Sequence, residues 1–451
     1  MKPRGAKPVV SPARRAAFEI LRRVEAEGAY SSPLVASLSE SNLSREDRAL
    51  AQEITLGVLR WQKALDYFIE RYSRRKTASL DLPVLISLRI GLYQLRHLTR
   101  IPASAAVNES VNLVKASRAR SAYGFVNAVL RNGARHADDR AGEGIDDEIE
   151  RVSVELSHPR WLVERWATQL GEAEARELAA ANNRHPRTAF RVNTLKATEA
   201  EALRLLESRG VTLAGSPHVP GAFVVESGSA SEVQHAAALG LIYLQDEASQ
   251  LVSKLLDAKS GERVLDLCAA PGSKSSHLAA LTENEALIVA CDIHPHRLAQ
   301  LAVTCNRLGA HSVNPVVLDA TGELPFLAEA QRFDRVLIDA PCSGTGTLSR
   351  NPEIKWRLAP DDPSRLAEVQ LDLLSRATDV INNAGRLVYS TCSIEVEENE
   401  GVIRQFIEGG APFRILKPDA HASLITPEGF VRTFPHRHGT DGFFAAVLER
   451  L

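Results

Sequence analysis

The sequence predicts a multidomain protein: an N-terminal all-α bundle over residues 1–136, a linker over 137–150, a small α+β module over 151–255, and a C-terminal α/β domain over 256–451 with a mostly parallel sheet. Three observations predict it. At 451 residues the chain exceeds what one hydrophobic core usually supports. Apolar residues recur at helical spacing through the first 135 residues. After Gly261 the rhythm changes to short apolar runs, each followed by a turn and a helix-like stretch, as expected of strands covered on both faces. With 44% hydrophobic but only 5% aromatic residues, these cores must be mainly aliphatic.

Ser11-Pro12 starts the first helix as an N-cap followed by proline in the first turn, and Ala17, Ile20, Leu21 and Val24 form its apolar stripe. Further stripes follow at Ile54–Val58–Trp61–Leu65–Phe68, Leu85–Leu88–Leu92–Leu95 and Val107–Val111–Val114. Residues 137–150 hold two glycines and seven acids without a periodic apolar face, which reads as a linker. In the middle module, Pro159–Leu170, Glu172–Asn182 and Glu199–Arg209 read as helices, the last stopped by Gly210. Phe190–Asn193, Ala222–Val225 and Leu241–Leu244 read as short strands. The C-terminal strands are predicted at Arg263–Leu267, Leu287–Cys291, Val313–Leu318, Phe333–Asp339, Arg386–Ser390 and Gly442–Leu448. The main helices between them are predicted at Pro295–Leu308, Pro363–Asn382 and Glu397–Glu408.

The net charge of −2 hides an asymmetry. Residues 1–140 carry 24 Lys+Arg, nineteen of them Arg, against 13 Asp+Glu, a net of +11; the remainder carries −13. Arginine forms bidentate bonds to phosphate, so the front of the chain is expected to dock on RNA or another polyanion. No apolar run approaches the roughly 20 residues of a membrane span, and the basic stretch Met1–Val10 lacks the apolar core of a signal peptide. A cytoplasmic protein without membrane contact is expected. The five cysteines lack CxxC or CxxH spacing and are odd in number, so neither a metal site nor a disulfide framework is expected.

In a parallel sheet, ligands sit beyond the carboxyl ends of the strands. The first strand runs into Cys268-Ala269-Ala270-Pro271-Gly272-Ser273-Lys274, small residues that let backbone approach a ligand before a helix begins near Ser273. The run is neither GxGxxG nor a Walker loop. Asp292 closes the second strand and can accept ribose hydroxyls; Asp319 closes the third and can face an adenine edge. Here the residues resemble a family. Val264–Lys274 is similar to the cofactor loop of the bacterial Fmu/Sun type of RNA 5-methylcytosine methyltransferases, whose signature is Cys-Ala-Ala-Pro-Gly-Gly-Lys; this chain has Ser273 in place of the second glycine. The resemblance implies a Rossmann-like methyltransferase domain that holds S-adenosyl-L-methionine with residues 268–274, Asp292, Asp319 and Asp339.

Phe333–Gly346 reads FDRVLIDAPCSGTG and Arg386–Asn399 reads RLVYSTCSIEVEEN, each placing a cysteine just past a strand. If the two strands are neighbours, both thiols reach one cleft. Carbon 5 of cytosine is too electron-poor to attack a methyl sulfonium until a nucleophile adds to carbon 6, and a thiolate suits that role because it attacks near neutral pH and leaves again. The family pattern assigns the nucleophile to Cys392 and release to Cys342. Asp339 is expected to contact N3 and the amine of the base. Cys268, Cys291 and Cys305 are expected to be small buried hydrophobes, Cys268 giving only backbone to the cofactor. Asp-Ala-Pro-Cys separates the chain from amino-group methyltransferases, which carry Asn/Asp-Pro-Pro-Tyr/Phe.

The base must be flipped out or presented in a loop, so an RNA grip is required. The expected candidates are the basic front, the segments Asn183–Pro186 and Arg191–Lys196, and Lys355 and Trp356, which also match the family and could contact phosphate and base. Residues 12–135 resemble the helical domain of the antitermination factor NusB, including Val126-Asn127-Ala128-Val129-Leu130-Arg131. A NusB-like domain before a methyltransferase is the arrangement of the bacterial 16S ribosomal RNA enzyme. The implied partner is 16S rRNA before 30S assembly is complete, engaged by a monomer with no required protein partner. The alternatives are a transfer RNA or another ribosomal site, an enzyme using Cys342 as nucleophile, and a non-catalytic RNA-binding or antitermination factor.

Overall fold

The computed structural model describes residues 10–326 and 332–451; the basic stretch at the start, except Val10, lies outside the described residues. The chain divides into two compact units, one containing residues up to Arg184 together with Leu348–Leu358, the other His185–Thr347 with Ala359–Leu451.

The first unit is all helical: α1 (Pro12–Glu27), α2 (Ser31–Ala36), α3 (Arg45–Arg60), α4 (Gln62–Ser73), α5 (Leu82–His97), α6 (Ala103–Ala116), α7 (Tyr123–Arg135), α8 (Glu148–Glu155), α9 (Arg160–Leu170) and α10 (Glu172–Asn182). Leu21, Ile54, Leu65, Leu88, Val114 and Leu130 meet in one aliphatic core, as their helical spacing requires. Inside it Arg89 binds Asp66 through two bonds of 2.7 Å and Glu25 at 2.6 Å, pairing a buried charge across α1, α4 and α5. Ser11 does stand at the N-cap of α1, but its hydroxyl accepts from Arg14 and makes no backbone cap. The acidic stretch read as a linker is tied to this unit. Tyr67 donates to the Glu143 carbonyl at 2.9 Å, Arg96 donates to the Asp139 carbonyl at 2.5 Å, and Asp147 caps α8. Helices α9 and α10, read from sequence as part of the middle module, pack here, as does α8, which the sequence did not show and which begins inside the stretch read as a linker.

The excursion Leu348–Leu358 corrects one expectation. Lys355 is 1% exposed and donates to the Arg60 carbonyl at 2.9 Å, while the Trp356 indole donates to the Leu59 carbonyl at 2.6 Å. Glu353 accepts from the amide and hydroxyl of Ser31, both at 2.8 Å. The two side chains expected to touch RNA instead close the C-terminal end of α3, where helix carbonyls lack intrahelical donors.

The second unit continues with β1 (Ala189–Val192), α11 (Glu199–Ser208), β2 (Thr212–Gly215), β3 (Ala222–Ser227), α12 (Ala230–Ala238), β4 (Ile242–Leu244) and α13 (Glu247–Leu255). The strands form an antiparallel sheet of order β2-β3-β1-β4 over a core of Phe190, Leu206, Val211 and Ile242. Strand β2 and helices α12 and α13 were not legible from sequence. Next come β5 (Arg263–Asp266), α14 (Ser273–Leu281), β6 (Leu287–Asp292), α15 (Pro295–Leu308), β7 (Val313–Val317), β8 (Phe333–Asp339), α16 (Ile354–Arg357, within the excursion), α17 (Asp362–Val380), β9 (Ile381–Thr391), α18 (Glu400–Glu408), β10 (Phe413–Ile415), β11 (Val431–Arg432), α19 (Pro435–His438) and β12 (Phe444–Arg450).

The large sheet has the order β10-β12-β9-β8-β5-β6-β7, with β11 on β12; β9 through β7 run parallel and β12 antiparallel to β9. Val264, Ile288, Leu337 and Val388 enter one apolar layer, Leu265, Val336, Ile338 and Leu387 the other, so each strand's pleat supplies both faces. Arg191 and Asn193, expected as part of an RNA grip, are buried. Arg191 bonds Gln245 at 3.1 Å and Ser276 of α14 at 3.0 Å; Asn193 donates to the carbonyls of Gly240 and Leu308, both at 2.8 Å. They brace the small sheet against the helices that follow β5 and β6.

The His158 ring is fully buried, its Nδ1 2.7 Å from the Leu156 carbonyl, and burial together with Lys355 holds it well below the ordinary imidazole range. A depressed imidazole contributes stability above its unfolded value near 6.5 and loses it as pH falls below that value, because only the unfolded chain takes the proton. His158→Asn should flatten the loss of unfolding free energy between pH 6.5 and 5, which for the parent protein has a slope of up to about 1.4 kcal/mol per pH unit from this residue. Denaturant unfolding at several pH values measures it; identical slopes in the two proteins count against the assignment.

Candidate active site

Three segments meet beyond the carboxyl ends of β5, β8 and β9. Strands β8 and β9 are parallel neighbours with Asp339 opposite Ser390. Each runs on into a cysteine loop, and the sulfurs of Cys342 and Cys392 lie 3.4 Å apart. Two backbone bonds fix the loops: the Ala340 amide donates to the Ser390 carbonyl at 2.8 Å and the Gly346 amide to the Cys392 carbonyl at 2.9 Å. Both cysteines are partly exposed. The contact with Cys392 and burial hold the Cys342 thiol well above the ordinary thiol range.

Lys274, the second residue of α14, reaches across to Asp339 Oδ2 at 2.6 Å. Burial opposes its charge, but the attraction of Asp339 prevails, and the ammonium stays above the usual lysine value. Ser390 donates to the other oxygen of Asp339 at 3.0 Å. Asp339 is thus oriented by two donors while its side chain keeps 30% exposure toward solvent. The spacing of the sequence grouped Lys274 with the cofactor loop; its ammonium engages the carboxylate of Asp339. Ser390 was not anticipated at all, because its role exists only once β8 and β9 pair.

Along the sheet, the 268–274 loop turns at Gly272, whose φ of +98° suits glycine and where a Cβ would come within 3.0 Å of Leu301. Its backbone is braced by Arg297, which donates to the Ala270 carbonyl at 2.7 Å and lies 3.4 Å from Asp292. Asp292 also accepts from the His294 amide at 2.9 Å. Below the loop, Asp266 is completely buried. Ser275 donates to its Oδ2 at 2.7 Å and Oδ1 has no hydrogen-bond partner; burial, opposed by Ser275, pushes this carboxyl up to about 7. Asp319 lies two residues beyond β7, exposed, its Oδ1 taken by the amide and hydroxyl of Thr321 at 3.0 and 2.7 Å. Cys291 and Cys305 are buried in the core, and Cys268 is partly exposed with its thiol pushed up by burial.

Gly346 ties the cysteine loops to the start of β12: its carbonyl accepts from the Gly442 amide at 2.8 Å, and a Cβ at 346 would sit 2.0 Å from the Gly442 oxygen. Gly346→Ala must displace backbone, so it should cost about 1–3 kcal/mol of stability and lower turnover on the order of a hundredfold by shifting the Cys392 loop about 1 Å. Thermal unfolding and methyl-transfer assays measure both; unchanged turnover in the folded variant would sink the argument.

The comparisons with known proteins agree with this geometry. The family described as "16S rRNA methyltransferase RsmB/F" matches residues 253–449, the NusB family residues 11–135, and the ferredoxin-like domain of RsmF/B-like methyltransferases residues 158–232. The chain is 36% identical over 448 residues to "Probable ribosomal RNA small subunit methyltransferase B" of Bacillus subtilis, covering 97% of this chain and 98% of that one. It is 31% identical to "Ribosomal RNA small subunit methyltransferase B" of Proteus mirabilis, covering 97% and 98%. The solved structure of PH0851 superposes with a TM-score of 0.83 at 31% identity, over 98% of this chain and 100% of the other. NSun6 from Pyrococcus horikoshii shares the fold, with a TM-score of 0.58 at 23% identity over 65% and 98%. With its helical NusB domain, ferredoxin-like domain and mostly parallel sheet in that order, the chain belongs to the RsmB/F family of 16S ribosomal RNA methyltransferases.

Proposed function

We propose that this protein methylates carbon 5 of a cytosine in 16S rRNA, with S-adenosyl-L-methionine as methyl donor and a covalent bond between Cys392 and carbon 6 of the base. The observation that carries the reading is the pair Cys342–Cys392, 3.4 Å apart beyond adjacent parallel strands. Two thiols in contact can divide attack and release between them.

The loop 268–274 with Asp292 fits a nucleoside ligand: it offers backbone unobstructed by a Cβ at Gly272, a buried Asp266 oxygen without a partner, and Asp292 oxygens that retain lone pairs beside their present donors. Asp319 is the least supported member, since its carboxylate is turned onto Thr321. When bound, S-adenosyl-L-methionine supplies an electrophilic methyl group. The remaining work falls to side chains of this chain. Cys392, as a thiolate whose proton has passed to solvent, adds to carbon 6 as electron density moves onto the ring. Asp339, held by Lys274 and Ser390, faces the base as hydrogen-bond partner. After methylation Cys342, having given its own proton to solvent, takes the proton from carbon 5, the carbon–carbon double bond reforms, and Cys392 leaves as a thiolate. The raised proton affinity of Cys342 suits it to this second task and disfavours it as the resting nucleophile.

RNA contact is assigned to the first unit. Between α6 and α7 an open groove of about 730 Å³ is lined by Asn108, Asn127, Arg131 and Arg135, and Lys115, Arg118 and Arg120, in the last turn of α6 and just after it, are exposed. Cations that make no ion pair among the described residues suit a phosphate backbone.

Cys392→Ala should abolish methylation and form no adduct with 16S rRNA, whereas Cys342→Ala should accumulate an adduct on a denaturing gel. The reverse pattern would overturn the assignment of roles. Bisulfite sequencing of 16S rRNA from cells with and without the protein identifies the cytosine, and an unchanged pattern rules out this substrate.

A further inference from the structure

Glu398 is buried and makes no ion pair among the described residues, yet its carboxyl gathers donors from both cysteine loops. Oε1 accepts from the Ser343 amide at 2.8 Å and from Gln370 at 3.1 Å; Oε2 accepts from the hydroxyl of Ser343 and from that of Ser393 at 2.5 Å. Ser343 follows Cys342 in the chain, and Ser393 follows Cys392. One carboxyl group therefore bridges the residues next to the two thiols.

The surroundings hold that carboxyl in place. The Glu398 carbonyl accepts from the Tyr389 hydroxyl at 2.5 Å, and Gln370 also accepts from Tyr389 at 2.9 Å. The next residue, Asn399, accepts from Thr391 at 2.5 Å and donates to the Ser393 carbonyl at 2.9 Å, pinning the Cys392 loop from its other side. The two serine hydroxyls are 3.1 Å from each other, and Thr345 lies 3.3 Å from Ser393. Burial raises the Glu398 proton affinity against the pull of these donors. A group that costly to bury is retained where its hydrogen bonds are needed.

We propose that Glu398 is a positioning residue that sets the separation of the Cys342 and Cys392 sulfurs by binding Ser343 and Ser393 with one carboxyl group. The proposal rests on the division of attack and release between the two cysteines given above. Without the bridge, the loops keep the Gly346–Cys392 backbone bond and the Thr345–Ser393 contact, but the residues next to the two sulfurs lose their common acceptor, and the thiol that resolves the adduct is less closely fixed beside the thiol that forms it.

The test uses the full-length protein, 16S rRNA and S-adenosyl-L-methionine, and compares adduct formation with adduct release in Glu398→Ala, Glu398→Gln and the double substitution Ser343→Ala/Ser393→Ala. A displacement of about 1 Å costs on the order of a hundredfold. Folded Glu398→Ala should accordingly release product about tenfold to a hundredfold more slowly while forming adduct at a rate closer to the parent's. Glu398→Gln keeps an acceptor oxygen and should stay near the parent. A purely structural role would lower formation and release together with the folded fraction. Release at the parent rate, or an equal fall in both rates, overturns the proposal. Should Glu398→Ala fail to fold, the serine double substitution decides by the same criterion. Cys342→Ala serves as the control: if it accumulates no adduct, the covalent reading itself has failed. The pH profile of Cys392 alkylation by iodoacetamide then decides alone. Loss of the close Cys342–Cys392 contact in Glu398→Ala should shift that profile, and an unmoved profile counts against the bridge.

Discussion

Asp339 and Ser390 sit opposite each other in parallel strands β8 and β9, and almost everything chemical in the second unit depends on that register. Side chains in a strand alternate between faces, so a slip of one residue would exchange the sets that β9 gives to its two buried layers. Tyr389 would leave its layer, and Cys392 would leave Cys342. The register is enforced by apolar burial on both faces, with Val388 in one layer and Leu387 and Tyr389 in the other. The position of two sulfurs thus follows from the packing of aliphatic side chains well below them.

Above the strand ends the interior turns polar, and each polar group is held by its neighbours. Lys274 and Asp339 satisfy each other across the gap between α14 and β8, which keeps an ammonium charged where burial alone would discharge it. Asp266, with a single hydroxyl donor to one oxygen, goes the other way and is pushed up to about 7.

The excursion Leu348–Leu358 lies in the chain just after the loop that carries Cys342, yet it folds with the helical unit. Its polar side chains are spent on the end of α3 and the start of α2: Glu353 on Ser31, Lys355 on Arg60, Trp356 on Leu59. A lysine with no acidic partner is costly to bury, and its proton affinity falls well below the usual value through burial and the nearby Arg60. The chain therefore leaves the second unit after Thr347 and returns to it at Ala359, besides passing from α10 into β1.

Local chemistry determined what was legible beforehand. Strand β8 and helix α15 have the bounds that their apolar runs and flanking turn residues predict, and Cys268–Lys274, Cys342 and Cys392 were recognisable because their motifs are contiguous in the chain. Short elements that draw their stability from packing, such as β2 and α12, gave no periodic signal of their own. The sequence also made Lys355, Trp356, Arg191 and Asn193 look like RNA contacts, since charge and aromaticity are visible without burial. Only the tertiary structure decided that Lys355, Arg191 and Asn193 are buried and that the Trp356 indole bonds the Leu59 carbonyl, that Lys274 answers Asp339, and that Glu398 spans both cysteine loops. The reason is physical: a motif fixes which groups are near in the chain, whereas hydrogen bonds between residues some fifty positions apart exist only after a sheet has brought two strand ends together.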